Sequence, residues 1–123
     1  MKYDADQTPE KENWLSMDED ERIESVTQHH KRLKIKLPNI RLHSVFHIIV
    51  ENQIAEGIEE VQKKLDELIS DGLSRHDAVH AIGSVMSESI YHLMKGEPAD
   101  PDVNKDYFRK LSKLTAKKWL EMS

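Results

Sequence analysis

Residues 40–56 read IRLHSVFHIIVENQIAE, an apolar segment near the middle of this 123-residue chain. Its apolar residues recur every three or four positions, which is the period of one face of a helix. They are Leu42, Val45, Phe46, Ile49, Val50 and Ile54. The run Ile48-Ile49-Val50 resembles a short buried strand, but it lies inside the longer helical period. The segment therefore predicts a helix over 39–56 that ends at Gly57.

Apolar residues recur with the same helical period both before and after this segment. This pattern predicts four more helices, roughly at residues 16–35, 58–70, 74–95 and 104–121, and no segment carries a comparable strand pattern. The fold class is therefore all-α, a bundle of about five helices. If consecutive helices pack as antiparallel neighbours, the second and fourth predicted helices run parallel. The predicted core comprises Ile23, Val26, Leu42, Val45, Phe46, Ile49, Leu65, Leu68, Val79, Ile82, Met86 and Ile90.

Composition limits the classes of protein to which the chain can belong. The absence of cysteine excludes disulfide frameworks, thiolate zinc sites and thiol nucleophiles. With 23 acidic and 18 basic side chains the net charge is −5, which weighs against nucleic acid as a partner. No apolar run reaches the roughly 20 residues that cross a bilayer, and the first residues lack the pattern of a signal peptide. We therefore expect a cytoplasmic protein without a membrane partner.

The domain organisation follows from where the helical period begins. Residues 1–15 are acidic and polar and show no such period, so they predict a mobile acidic arm. Residues 16–123 are long enough to bury a core without a disulfide or a metal, and they predict a single helical domain.

Two pairs of histidines have the spacing of metal ligands. His43 and His47 lie four residues apart in the second predicted helix, and His76 and His80 repeat this spacing in the fourth. Residues four apart share a helix face, so each pair can converge on one ion with bonds of about 2.0–2.1 Å. We expect one ring nitrogen from each pair to lie within about 5 Å of one from the other pair, because two such bonds span about that length. The pattern predicts a metal site between the two helices.

Further residues extend this predicted site. Glu51 continues the row formed by His43 and His47 and is a candidate oxygen ligand, and His30 is a candidate fifth ligand or lid residue. Histidine ligands with at most one carboxylate suit transition ions rather than magnesium or calcium. We therefore expect zinc or iron as the cofactor.

Neighbouring residues have supporting or unrelated roles in this interpretation. Asp77 and Gln53 are candidates for orienting the imidazoles from outside the ligand set. Gly83 follows the second histidine pair on the same face, and its small size would allow the two helices to approach closely. His92 is expected to be a surface or helix-terminal histidine.

Residues 43–53, HSVFHIIVENQ, and 75–88, RHDAVHAIGSVMSE, resemble paired segments of small uncharacterised bacterial proteins grouped as a domain of unknown function. In that family, H-x3-H followed by an acid and glutamine precedes a segment of the form RH-x3-H. The resemblance covers about residues 20–95 and implies a helical fold and a metal, without a reaction. Ser84 departs from the pattern, because some relatives are expected to carry an acid there.

Three functions are open at this point. A metal protein with three histidines and a water could be a hydrolase or a non-haem iron protein, whereas four histidines would make the metal structural. The turn at residues 71–74, followed by Arg75, also resembles a helix-turn-helix that binds DNA. The third possibility is a partner-binding module in which the histidines only pack.

Overall fold

The structure is a computed structural model that describes residues 3–32, 40–96 and 102–122, apart from the side chains at 30, 32, 40–43, 103 and 122. All regular structure in these ranges is helical, which confirms the all-α class. The helices are α1 (Lys11–Ser16), α2 (Glu19–Arg32), α3 (Ile40–Ala55), α4 (Glu59–Ser70), α5 (Arg75–Met94), α6 (Val103–Lys113) and α7 (Ala116–Met122). None of these helices is long and apolar enough to cross a membrane.

The described residues form seven helices instead of the predicted five, because the structure differs from the prediction towards both ends of the chain. The predicted helix over 104–121 is divided into α6 and α7 at Leu114, whose backbone is extended. Its carbonyl oxygen accepts a hydrogen bond from Nζ of the buried Lys64 at 2.7 Å, and the Thr115 hydroxyl accepts one from the backbone of Lys118 at 3.1 Å. A long-range hydrogen bond from Lys64 and a local cap by Thr115 therefore stabilise the interruption between α6 and α7.

The additional helix at the other end, α1, lies in the segment predicted to be a mobile acidic arm. Residues 3–15 instead pack against the bundle, and Tyr3, Ala5 and Trp14 are buried. Trp14 donates from Nε1 to the Asn52 side chain on α3 at 2.8 Å. A polar segment can pack in this way because a few large side chains supply most of its buried area.

The buried apolar side chains of the described residues form two clusters. The smaller joins Tyr3, Ala5 and Trp14 to Ile23 and Val26 of α2 and Ile48 of α3. The larger lies between α3, α4, α5, α6 and α7. Seven predicted core residues are buried, namely Ile23, Val26, Leu65, Leu68, Val79, Ile82 and Met86. Val45, Phe46, Ile49 and Ile90 are half-buried against the clusters, and the side chain of Leu42 lies outside the described part of the chain.

Helices α3 and α5 cross closely at Gly83. A Cβ atom added to Gly83 would lie 3.7 Å from the Phe46 carbonyl oxygen, which confirms the close approach predicted there. The predicted parallel arrangement of these two helices is not confirmed. Phe46 lies against Gly83, while Glu51, farther along α3, pairs with Arg75 at the start of α5.

Asp106 provides a test of how charge stabilises the packing of α6. Its carboxylate is buried and lies 2.7 Å from Arg109 Nη2 and 3.1 Å from Lys110 Nζ. Burial acts to raise the pKa of Asp106, but the hydrogen bond from Arg109 and the contact with the charged Lys110 prevail and lower it from 3.8 to about 2. Because the folded pKa lies below the unfolded one, the contribution to stability is complete above about pH 4 and is lost as the pH falls towards 2.

We therefore expect Asp106→Asn to lower the free energy of unfolding at pH 7 and to weaken the loss of stability between about pH 4 and pH 2. Urea unfolding at a series of pH values measures both effects. Parallel pH profiles for the variant and the parent protein would contradict this prediction.

Candidate metal centre

Three of the predicted histidine ligands meet between α3 and α5. His47 lies in the middle of α3 and faces His76 and His80 in the first turns of α5, and ligand nitrogens of the three rings all lie within 4.8 Å of one another. This confirms the predicted approach within about 5 Å between the two pairs. His47 is buried, and His76 and His80 are half-buried. The cluster of three histidines is therefore closed to solvent at His47 and more open at His76 and His80.

The distance between the His76 and His80 rings on α5 already suits two ligands of one metal ion. The Nε2 atoms of His76 and His80 lie 3.1 Å apart. Two nitrogens bound to one ion at about 2.1 Å are separated by roughly 3.0–3.4 Å when the angle between the bonds is 90–109°. The separations between ligand nitrogens extend to 4.8 Å, so binding all three nitrogens to one ion requires the longest separation to shorten by roughly 1.4–1.8 Å, which rotation of the side-chain torsions can supply.

A hydrogen-bond relay determines which nitrogen of His47 carries its proton. The Tyr3 hydroxyl donates to Glu51 Oε2 at 2.5 Å, and its oxygen lies 2.9 Å from His47 Nδ1. A phenol has one proton, so His47 Nδ1–H must donate to the Tyr3 oxygen. Burial and the charge of Glu51 raise the pKa of Tyr3 well above its usual value, which retains that proton. The lone pair of His47 is therefore on Nε2, the form in which an imidazole binds metal.

Glu51 has a different role from the one predicted. Its two carboxylate oxygens accept from the two terminal nitrogens of Arg75 at 2.8 and 2.7 Å, and both side chains are buried. Burial acts to lower the pKa of Arg75, but the hydrogen bonds and charge of Glu51 prevail and raise it. The carboxylate is thus held by a bidentate ion pair and acts on the histidines through Tyr3 instead of as an oxygen ligand.

Residues 3–6, which we call the N-terminal strap, connect three helices around the histidines. The backbone of Ala5 donates to His29 Nε2 at 3.3 Å and accepts from Arg75 Nη1 at 2.8 Å. Oδ1 of Asp6 accepts from the backbone N–H of His76 at 3.1 Å. A carboxylate at this position also complements the positive N-terminal end of α5. The strap therefore positions the first turn of α5, on which His76 lies.

His29 is a residue of the site that sequence reasoning missed. It is buried, and its ring centroid lies 5.4 Å from that of His76. The helical period favoured its neighbour His30, although the spacing of three residues from Val26 would have indicated His29. The side chains of His30 and His43 lie outside the described part of the chain, so both stay predicted ligands.

The residues predicted to orient the imidazoles lie elsewhere. Gln53 accepts a hydrogen bond from the Tyr107 hydroxyl at 2.8 Å and so connects α3 with α6. Asp77 is exposed. Tyr3 and Glu51 have the orienting role, and no signal in the polar N-terminal segment pointed to Tyr3. His92 is half-buried, with Nε2 3.6 Å from Glu88.

Comparisons of this chain with family models, with curated proteins and with solved structures find no match. The resemblance to bacterial proteins with paired H-x3-H segments therefore stays a prediction.

Proposed function

We propose that this protein binds a first-row transition ion, zinc or iron, through His47, His76 and His80. The observation that carries the proposal is the convergence of three imidazoles whose ligand nitrogens lie within 4.8 Å of one another. Imidazole ligands suit zinc and iron, and the relay from Glu51 through Tyr3 places the lone pair of His47 on Nε2.

Three ligands among the described residues favour a reactive site over a structural one, as long as neither His30 nor His43 supplies a fourth. Structural zinc sites are closed by four protein ligands, whereas catalytic sites keep a position for water or substrate. The half-buried His76 and His80 lie on the more open side of the group. A metal-bound water there would be a nucleophile for hydrolysis, and with iron the same position would be open to a small-molecule substrate.

The position of Arg75 weighs against the alternative of a DNA-binding helix-turn-helix. In that interpretation Arg75 would begin the recognition helix and contact phosphate or bases. Its guanidinium is instead buried and pairs with Glu51 on α3. A partner-binding module whose histidines only pack is the remaining alternative, and it predicts no saturable metal binding.

The test is metal titration of the full chain, prepared without a histidine tag and stripped with a chelator. We expect one zinc ion per chain by calorimetry, and the visible absorption of low-symmetry cobalt when Co²⁺ replaces zinc. The absence of saturable binding of zinc, iron and cobalt would overturn the proposal.

Tyr3→Phe tests the relay separately from the ligands. The variant keeps the buried ring but removes the oxygen that joins His47 to Glu51. We expect zinc affinity to fall by about 10–100-fold, the usual effect of losing a group that orients a ligand. Tyr91→Phe is the matched control, because Tyr91 is exposed on α5. Calorimetry that gives equal zinc affinities for the two variants would show that the relay does not tune the site.

A further inference from the structure

A cavity of about 250 Å³ opens beside the candidate metal centre. Two of the proposed ligands, His47 and His80, line it, and Phe46, Val79 and Trp119 contribute apolar surface. A molecule in this cavity would therefore contact apolar side chains while it lay next to a bound ion.

The volume of the cavity limits the size of the molecule. An apolar cavity of about 150 Å³ is known to hold benzene. The 250 Å³ observed here therefore suits one ring, or a short branched chain, with a small polar head.

The residues that line the cavity indicate which polar group a bound molecule would place next to the metal ion. None of the described residues that line it carries a formal charge, and the polar side-chain groups beside the two histidines are the hydroxyls of Ser84 and Ser87 and the indole N–H of Trp119. The Ser84 hydroxyl donates to the Ala81 carbonyl oxygen at 2.7 Å. The bound ion would thus be the dominant charge in the site and would attract an anionic oxygen.

We propose that the site accepts a small organic molecule with an apolar body and a single anionic oxygen head, such as a carboxylate, that binds the metal ion. The inference rests on the proposed function, because the ion is the partner of the head group. The apolar body would occupy the space between Phe46, Val79 and Trp119.

The test compares two probes with the same metal-binding head, benzohydroxamate and acetohydroxamate, on the cobalt-loaded protein. Cobalt absorption reports binding of the head, and the probes differ in their apolar body. We expect benzohydroxamate to bind about 10–100-fold more tightly, because burial of its ring adds a hydrophobic contribution.

Ser87→Leu tests whether the cavity causes this preference for benzohydroxamate. The larger side chain should fill part of the space and reduce the preference for benzohydroxamate at least about 10-fold, while acetohydroxamate and cobalt bind as before. Ser112→Leu, on the exposed face of α6, is the matched control. If Ser87→Leu does not fold, Trp119→Ala should reduce the same preference by removing an apolar wall.

The outcomes separate this inference from the proposed function. Failure of the parent protein to bind zinc, iron and cobalt overturns the proposed function, and the inference fails with it. Normal metal binding with equal affinity for the two probes, or a preference that survives both cavity variants, overturns the inference alone.

Discussion

His47→Ala is expected to lower the zinc affinity of the protein by more than about 100-fold, since loss even of an orienting group costs 10–100-fold. His47 is the one described ligand contributed by α3, so its removal leaves two imidazoles on one turn of α5. Calorimetric titration of the chelator-stripped protein measures the effect.

His92→Ala is the matched control for this variant. His92 also lies on a helix and is half-buried, but its contact is with Glu88. We expect its zinc affinity to equal that of the parent protein. Similar affinities for His47→Ala and His92→Ala would contradict the assigned ligand set.

Thermal unfolding gives a second measurement of the same prediction. A ligand that binds only the folded state at 100 times its Kd stabilises that state by about 2.7 kcal/mol. Zinc should therefore raise the Tm of the parent protein and of His92→Ala, and a chelator should reverse the rise. His47→Ala should show almost no change at the same zinc concentration.

Arg75→Met is expected to lower the free energy of unfolding by about 3–5 kcal/mol, because it leaves the buried Glu51 carboxylate without its cation. The exposed fraction of the Glu51 side chain is 0%, so water cannot replace the guanidinium. The variant also loses the hydrogen bond to the Ala5 carbonyl oxygen, which holds the N-terminal strap. Urea unfolding in the presence of a chelator measures the cost without a contribution from metal.

Two further variants show whether the cost arises from the unpaired charge. Arg75→Met combined with Glu51→Leu should recover most of the lost stability, since a buried ion pair can be replaced by apolar side chains at little cost. Arg22→Met should cost only about 1–2 kcal/mol, because Arg22 donates to the neutral side chain of Asn52 and to the Leu15 carbonyl oxygen. An additive loss in the double variant would contradict the assigned role of the ion pair.

Much of the secondary structure could be predicted from spacing along the chain. The period of three and four apolar residues in segment 40–56 predicts α3, and the described helix Ile40–Ala55 agrees with it. The same local geometry places His76 and His80 on one face of α5, where their Nε2 atoms lie 3.1 Å apart. Such predictions succeed because helical geometry relates residues that are three or four positions apart.

The environment of the site could not be predicted in this way. Tyr3 contacts His47 across 44 positions of sequence and Glu51 across 48. The local pattern around Tyr3 indicated an arm, and the position of Glu51 next to His47 on the helix face indicated a ligand. Packing of the N-terminal strap against α3 and α5 gives both residues other roles.

By itself, the sequence determined the all-α class, most of the helices and the sharing of a helix face by His76 and His80, because these properties depend on short-range geometry. The predicted approach of His47 to this pair needed the packing of α3 against α5 to confirm it. The tertiary structure alone decided that Arg75 pairs with the Glu51 carboxylate and that His29 and Tyr3 border the site. Those contacts join segments far apart in the chain, and burial stabilises them only when all the segments pack together.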